Sequence, residues 1–414
     1  EVIWTGKGAD NKWSTVENWS TGALPDTKDI VVFRPDGDLS VSVKKADDSN
    51  LNPTIGGLRF ESGNTTMSGG YFYTSSKTTE VFVAENATAK VDDTFDPNNG
   101  TYWFKKTGKG SLNANQVGAD YKYAGAILEE GPMTIRGTAS MIKRLVICAG
   151  QTLTVPNNNT FGNLPPPVEI EKGGLLFATT QGGTLPLKSL EGEGTVDTAP
   201  DNSSGVKLQL TPSEDVIFNG KIGLRMWTTI SSASTGRFIL GNADVLGGTF
   251  EVHGSRWLGF APGVGTFHVA TTHFYPDAGY PLHLADTDGN PVTVQVGLSS
   301  AGQADFSTSG PGSVYMGTQA VTLKGACVAS TGRLGTTKGT LTLGDGTEAN
   351  DFDFSTISGL DVASGEIDVH NAADFVFAEN VGGVVIRQCL FADNDSSSIV
   401  TGNKGTTRFE NCTS

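Results

Sequence analysis

Short runs of alternating apolar and polar residues recur along nearly the whole chain. Leu39–Val43, Val81–Val83, Met133–Ile135, Thr152–Val155, Leu175–Phe177, Val206–Leu210, Thr340–Leu343 and Glu366–Val369 all carry the pattern. Period-two alternation marks a strand with one buried face. Gly, Asn and Asp clusters separate the runs and supply turns. Helical periodicity is nearly absent. Its best candidate, Ala139–Leu145, is short and continues into the strand-like Val146-Ile147-Cys148. Asn-Gly and Asp-Gly pairs are too few for a meander of tight hairpins. The strand-turn unit returns about every 20–25 residues, a solenoid period, and each such rung needs its neighbours to bury its inner side chains. The pattern predicts an all-β fold, a right-handed parallel β-helix or β-solenoid. At about 22 residues and about 4.8 Å per rung, the chain supplies roughly eighteen rungs and a rod approaching 90 Å.

The ends depart from this regularity. Trp4, Trp13 and Trp19 fall close together ahead of the apolar run Ile30–Phe33. Aromatic side chains stacked on the first rung would cover its open edge, so residues 1–60 are predicted to be an N-terminal cap and 61–414 the solenoid. The stretch 256–284 is the least repetitive and is rich in aromatics, Pro and His. It is predicted to be an irregular insertion, the kind of loop that carries function.

Two local patterns resemble a known family. The first is Trp4-Thr5-Gly6, Trp13-Ser14, Asn18-Trp19-Ser20, Leu24-Pro25-Asp26 and Asp29–Phe33, followed by Ile55-Gly56-Gly57-Leu58-Arg59-Phe60. The second is Phe104-Lys105-Lys106-Thr107-Gly108-Lys109-Gly110-Ser111-Leu112, with weaker echoes at Leu190–Val196, Gly247–Val252 and Lys338–Leu343. Together they resemble bacterial secreted proteins with autotransporter-associated β-strand repeats. The resemblance covers the ends and scattered middle pieces. It implies a passenger-like β-helix and secretion, and it implies little about function, because one fold hosts many roles.

Charge narrows the classes. The formal net charge is −15 and charged residues make up only 18% of the chain. A nucleic-acid binder needs a basic stripe, and none is visible. No run of about 18 apolar residues is present to span a bilayer. The chain opens at Glu1 directly into the strand-like Val2-Ile3-Trp4, which reads as sequence following a removed leader. The four cysteines, Cys148, Cys327, Cys389 and Cys412, form no metal-binding spacing. Cys389 and Cys412 are one rung apart, which suits either a disulfide stapling the last rungs or two stacked buried thiols.

Candidate chemistry is sparse. Glycoside hydrolysis needs two carboxylates at a defined separation; the acidic pairs Asp47/Asp48, Asp286/Asp288, Asp351/Asp353 and Asp393/Asp395 sit in turn-like sequence instead of on one strand face. Four of the five histidines fall between 253 and 283, with spacings that fit neither a helix nor a strand metal site. Asp286, Asp288 and Asn290 resemble the start of a Ca²⁺ loop without its closing Glu, and the same residues also make plain turns. Trp257, Phe274, Tyr275 and Tyr280 are the candidate ligand-binding aromatics, suited to stacking on sugar rings and equally to core packing. The chain ends at Asn411-Cys412-Thr413-Ser414, inside what reads as a rung. Either it is truncated there, or another element covers the edge, for which Val2, Ile3 and Trp4 of the next copy are candidates by strand addition. The resulting expectation is a secreted, extracellular or cell-surface protein, structural or adhesive and without catalysis, with itself or surface glycans as partners. The alternative is a carbohydrate-binding or polysaccharide-degrading β-helix.

Overall fold

The computed structural model describes residues 1–242, apart from 98–99, 119–122, 140–141, 157–159, 163, 180–181, 202–203 and 224. Beyond these it describes the backbone of the strands and the segments 257–264 and 286–288 with their side chains. Two compact units divide the chain, Glu1–Val206 and Lys207–Ser414. Both are built from parallel strands in β-solenoid ladders. The single 3₁₀ turn Val16–Asn18 is the one helical element with defined ends among the described residues.

In the first unit, one face stacks nine strands in chain order, from Val2–Ile3 through Ile30–Phe33, Gly57–Phe60, Thr78–Val83 and Trp103–Thr107 to Ser189–Gly192. A second face runs from Asp38–Ser42 to Thr195–Thr198. Nine strands at about 4.8 Å each make this unit roughly 40 Å deep along the stack. The length of chain between bonded partners on the first face is uneven. Ala126 stands opposite Leu145 after a short excursion, and Val2 stands opposite Val31 after a longer one. Residue 60, where the sequence suggested the cap would end, lies in a continuous ladder. Gly57–Phe60 is bonded to Ile30–Phe33 on one side and Thr78–Val83 on the other.

The alternation seen in the sequence is the alternation of burial. Thr152–Val155, Leu175–Ala178 and Thr195–Thr198 each bury every second residue. Successive rungs then align like with like. Leu112, Met133, Leu153, Leu176 and Val196 form one buried ladder on the second face. On the first face, Val2, Val31, Leu58, Val81, Lys106, Leu128, Ile147 and Ile170 form another. Removing these side chains from water is the dominant stabilising term, at about 25 cal/mol per Å² of apolar surface.

The cap is an aromatic cluster. Trp4, Trp13, Trp19 and Phe33 are all buried. Phe33 sits at its centre, with ring centroids 6.1 Å from Trp4, 6.4 Å from Trp13 and 6.4 Å from Trp19, and it stacks on Phe60 at 5.3 Å. A second aromatic path leads from Trp13 to Phe72, Phe95, Phe104 and Tyr123. The polar loop that carries the tryptophans is tied by buried Asn18. Its Nδ2 donates to the Asp10 and Lys12 carbonyls, and its Oδ1 accepts from the Gly8 amide.

In the second unit the same geometry holds. Phe238–Leu240 pairs in parallel with Val216–Phe218 and with Leu258–Phe260. Thr249–His253 pairs with Met226–Ile230 and with Thr271–Tyr275. The segment expected as an irregular insertion therefore carries ladder strands, with Thr266–Val269 and Leu282–His283 besides those named. Its residues 276–281 lie outside the described ones.

Candidate functional site

A solenoid packed with apolar ladders leaves its outer faces and corners for chemistry. The sequence-predicted residues fall in several separate places. Val2 and Ile3 form the first strand, paired to Val31 and Val32. The outward amide of Ile3 donates to Ser20 Oγ at 3.0 Å, and its carbonyl accepts from the Ser20 amide at 2.9 Å. Trp4 is buried in the cap and bridges to Trp19. These residues thus form part of the cap, and the chain's own Trp19-Ser20 segment occupies the backbone groups that strand addition to another copy would use.

Trp257 is half-buried just ahead of Leu258–Phe260. Phe274 and Tyr275 lie on the strand Thr271–Tyr275, opposite Val252 and His253. Tyr280 lies outside the described residues. Asp286 is buried, and its Oδ1 accepts the Asp288 amide at 2.9 Å, an Asx-type turn. Asn290 is outside the described residues. Cys389 lies on the strand Cys389–Ala392, bonded opposite Ile367, and Cys412 is outside the described residues. Cys148 is a half-buried free thiol, its pKa pushed up first by burial and then by Glu171. Asp47 caps the Ser49 amide and Asp48 pairs with Lys12 at 2.9 Å, so that pair serves a turn.

Lys106 and Asp93 are buried ionisable groups that the sequence reading did not single out as candidates. Lys106 interrupts the apolar ladder of the first face and is fully buried. Its Nζ donates to the carbonyls of Thr107 at 3.1 Å, Gly108 at 2.5 Å and Glu130 at 2.6 Å. It closes the corner between two rungs, where turning strands leave carbonyls without amide partners. Burial lowers its pKa to about 8. Lys106 belongs to the run Phe104–Leu112 that carries the family resemblance, and Gly108 of that run, at φ +74°, completes the corner in a conformation other residues avoid. Asp93 is the second group. Its Oδ1 accepts the amides of Gly69 at 2.5 Å and Gly70 at 2.8 Å, while its buried Oδ2 has no partner. Burial raises its pKa to about 6.

The outer side of the early rungs holds a groove of about 260 Å³. Gly56 and Gly57 form its floor, with Lys28 and Ile30 from the rung before, Arg59 two residues along the same strand, and Glu80 and Phe82 from the rung after. Gly57 lies between Ile30 and Glu80 in the ladder, so the outward row loses one side chain there. Arg59 lies over the Phe82 ring at 4.8 Å, and the two make one flat wall. Glu80 Oε1 accepts the Thr107 hydroxyl at 2.7 Å. The Gly56-Gly57 doublet was the only sign of this groove in the sequence. Its partners come from the rungs before and after, each distant along the chain.

No family model, no curated protein and no solved structure matches the chain. The class rests on architecture alone: this is a β-solenoid protein. No helix among the described residues is long and apolar enough to cross a membrane. No group of three or more His, Cys, Asp or Glu side chains among the described residues is placed to hold a metal.

Proposed function

We propose that the chain is a secreted structural or adhesive protein of a cell surface, whose outer solenoid faces attach to surface glycans and do no chemistry on them. One observation carries this reading. The parallel ladders are filled by apolar side chains, while their outer rows present charged and hydroxyl groups at fixed spacing. Lys105 pairs with Glu129 across one rung step, and Arg144 with Glu169 across a later one at 2.6 Å. Such pairs contribute little to stability at an exposed surface. Their value lies in display, because adjacent rungs hold them in register about 4.8 Å apart. A rigid, patterned face suits repeated weak contacts with a polymer, and several weak contacts held on one body bind far more tightly than one.

The test uses the full-length protein on immobilised neutral and acidic polysaccharides, with retention and product release measured together. Retention without depolymerisation supports the reading. Release of shortened chains would overturn it in favour of a polysaccharide-degrading β-helix, and absence of retention on every surface would overturn it outright.

A further inference from the structure

We propose that the glycine-floored groove bounded by Lys28, Ile30, Gly57, Arg59, Glu80 and Phe82 is a binding subsite for one neutral hexose unit of a glycan. The inference rests on the attachment reading and narrows it to one place and one chemical class. A hexose has an apolar ring face and a rim of hydroxyls, so it needs a flat apolar surface flanked by a few polar groups. The groove offers both. Exposed Ile30 and the Arg59-covered Phe82 supply the flat surfaces. The backbone of Gly56 and Gly57 lets a ring approach where a side chain would stand. A Cβ on Gly57 would lie 3.0 Å from the Glu80 carbonyl and one on Gly56 2.8 Å from the Lys28 carbonyl, so the two glycines keep the floor low without crowding the backbone beside it.

The polar groups suit hydroxyls. Lys28 has no acidic partner among the described residues and is exposed at the rim, able to donate. Glu80 spends Oε1 on the Thr107 hydroxyl, and its Oε2 is left as an acceptor for a sugar hydroxyl. Arg59 is already balanced by Glu61 at 3.4 Å and Glu1 at 3.7 Å, so it contributes a plane rather than a free charge. The groove therefore pairs one available cation with one carboxylate. The net charge of −15 on the whole chain opposes the approach of a polyanion. Both facts favour a neutral sugar over a uronate. At about 260 Å³ the groove is smaller than the roughly 300–1,000 Å³ typical of drug-sized ligands and fits a single ring.

Saturation-transfer NMR and titration calorimetry on the full-length protein would use methyl glycosides of glucose, galactose, mannose and N-acetylglucosamine, with glucuronate alongside. At least one neutral glycoside is expected to bind in the millimolar range, around −4 kcal/mol. Lys28→Ala and Glu80→Gln each remove a hydrogen bond from an exposed side chain and are expected to weaken that binding about tenfold. Ile30→Trp should fill the groove and abolish it. Ile217→Trp, at an equally exposed position in the second unit (47% against 40%), should leave it unchanged and guards against a general effect of added tryptophan. Binding that survives Ile30→Trp, or binding of glucuronate alone, overturns the subsite. If the Ile30→Trp protein still holds to immobilised glycans as the parent does, the subsite fails while attachment stands. If neither protein is retained on any glycan, both fail.

Discussion

Replacing Phe33 by Ala should open the solenoid from its N-terminal end while leaving its middle closed. Phe33 is fully buried and touches the rings of Trp4, Trp13, Trp19 and Phe60. Deleting a buried Phe side chain costs about 3–5 kcal/mol, part of it from the cavity left behind. Each lost ring pair contributes roughly 0.5–1.5 kcal/mol beyond area, which places this site toward the upper end of that range. In a globular core the loss would lower the stability of the whole molecule. In a solenoid each rung touches only its neighbours, so the loss concentrates in the first rungs. Hydrogen exchange read by mass spectrometry separates the two cases. Amides of Val2–Ile3, Ile30–Phe33 and Gly57–Phe60 should lose about three powers of ten in protection, at about 1.4 kcal/mol per tenfold. Those of Leu145–Ile147, Pro167–Ile170 and Ser189–Gly192 should change by less than about tenfold. Equal loss across all nine rungs, or none in the cap, would refute the reasoning.

Further outcomes follow from the buried polar groups and the cysteines. Lys106→Met removes the donor that serves three carbonyls at one corner and should cost about 2–4 kcal/mol in chemical denaturation. Since burial holds Lys106 near 8 against an ordinary value of 10.5, the unfolded chain carries the extra proton between those values. Parent stability relative to Lys106→Met should therefore rise with pH across that window. Asp93 behaves in the opposite sense. Its folded value of about 6 lies above the ordinary 3.8, so the folded chain holds the extra proton and stability falls as pH rises between them. Asp93→Asn, which keeps the acceptor for Gly69 and Gly70, should flatten that slope in melts at pH 4 and pH 6. Non-reducing peptide mapping should find Cys389 joined to Cys412. The two cysteines are 23 residues apart in sequence, about one rung of the expected repeat. Recovery of both as free thiols would remove the pairing.

Much of the fold was legible because one physical fact, alternation, was repeated so often. The runs at Thr152–Val155 and Leu175–Phe177 announced their faces directly, and the clustered tryptophans announced the cap. What stayed hidden depends on register. Nothing near Lys106 in sequence shows that it would stand between Val81 and Leu128 in an apolar ladder, since each of those neighbours lies a whole rung away along the chain. Gly57 becomes part of a groove only when Ile30 and Glu80 arrive on either side of it. The backbone of Ile3, expected to be available for strand addition to another copy, is bonded by Ser20, a residue with no local signal for that role. The aromatic stretch 256–284 looked irregular because its aromatics, Pro and His break the alternation in the sequence, while its strands pair like the rest.

The uneven excursions between bonded partners, short from Ala126 to Leu145 and long from Val2 to Val31, have an evolutionary meaning. Strand pairing holds register, and the corners absorb the difference in length. Residues added at a corner lengthen an excursion without shifting any ladder, and loop closure grows only slowly with length, by about 0.6 kcal/mol per doubling. A lineage can therefore try new surface segments one corner at a time, with the neighbouring rungs unaffected. It can also lengthen or shorten the stack by whole rungs, since each rung brings its own share of the core.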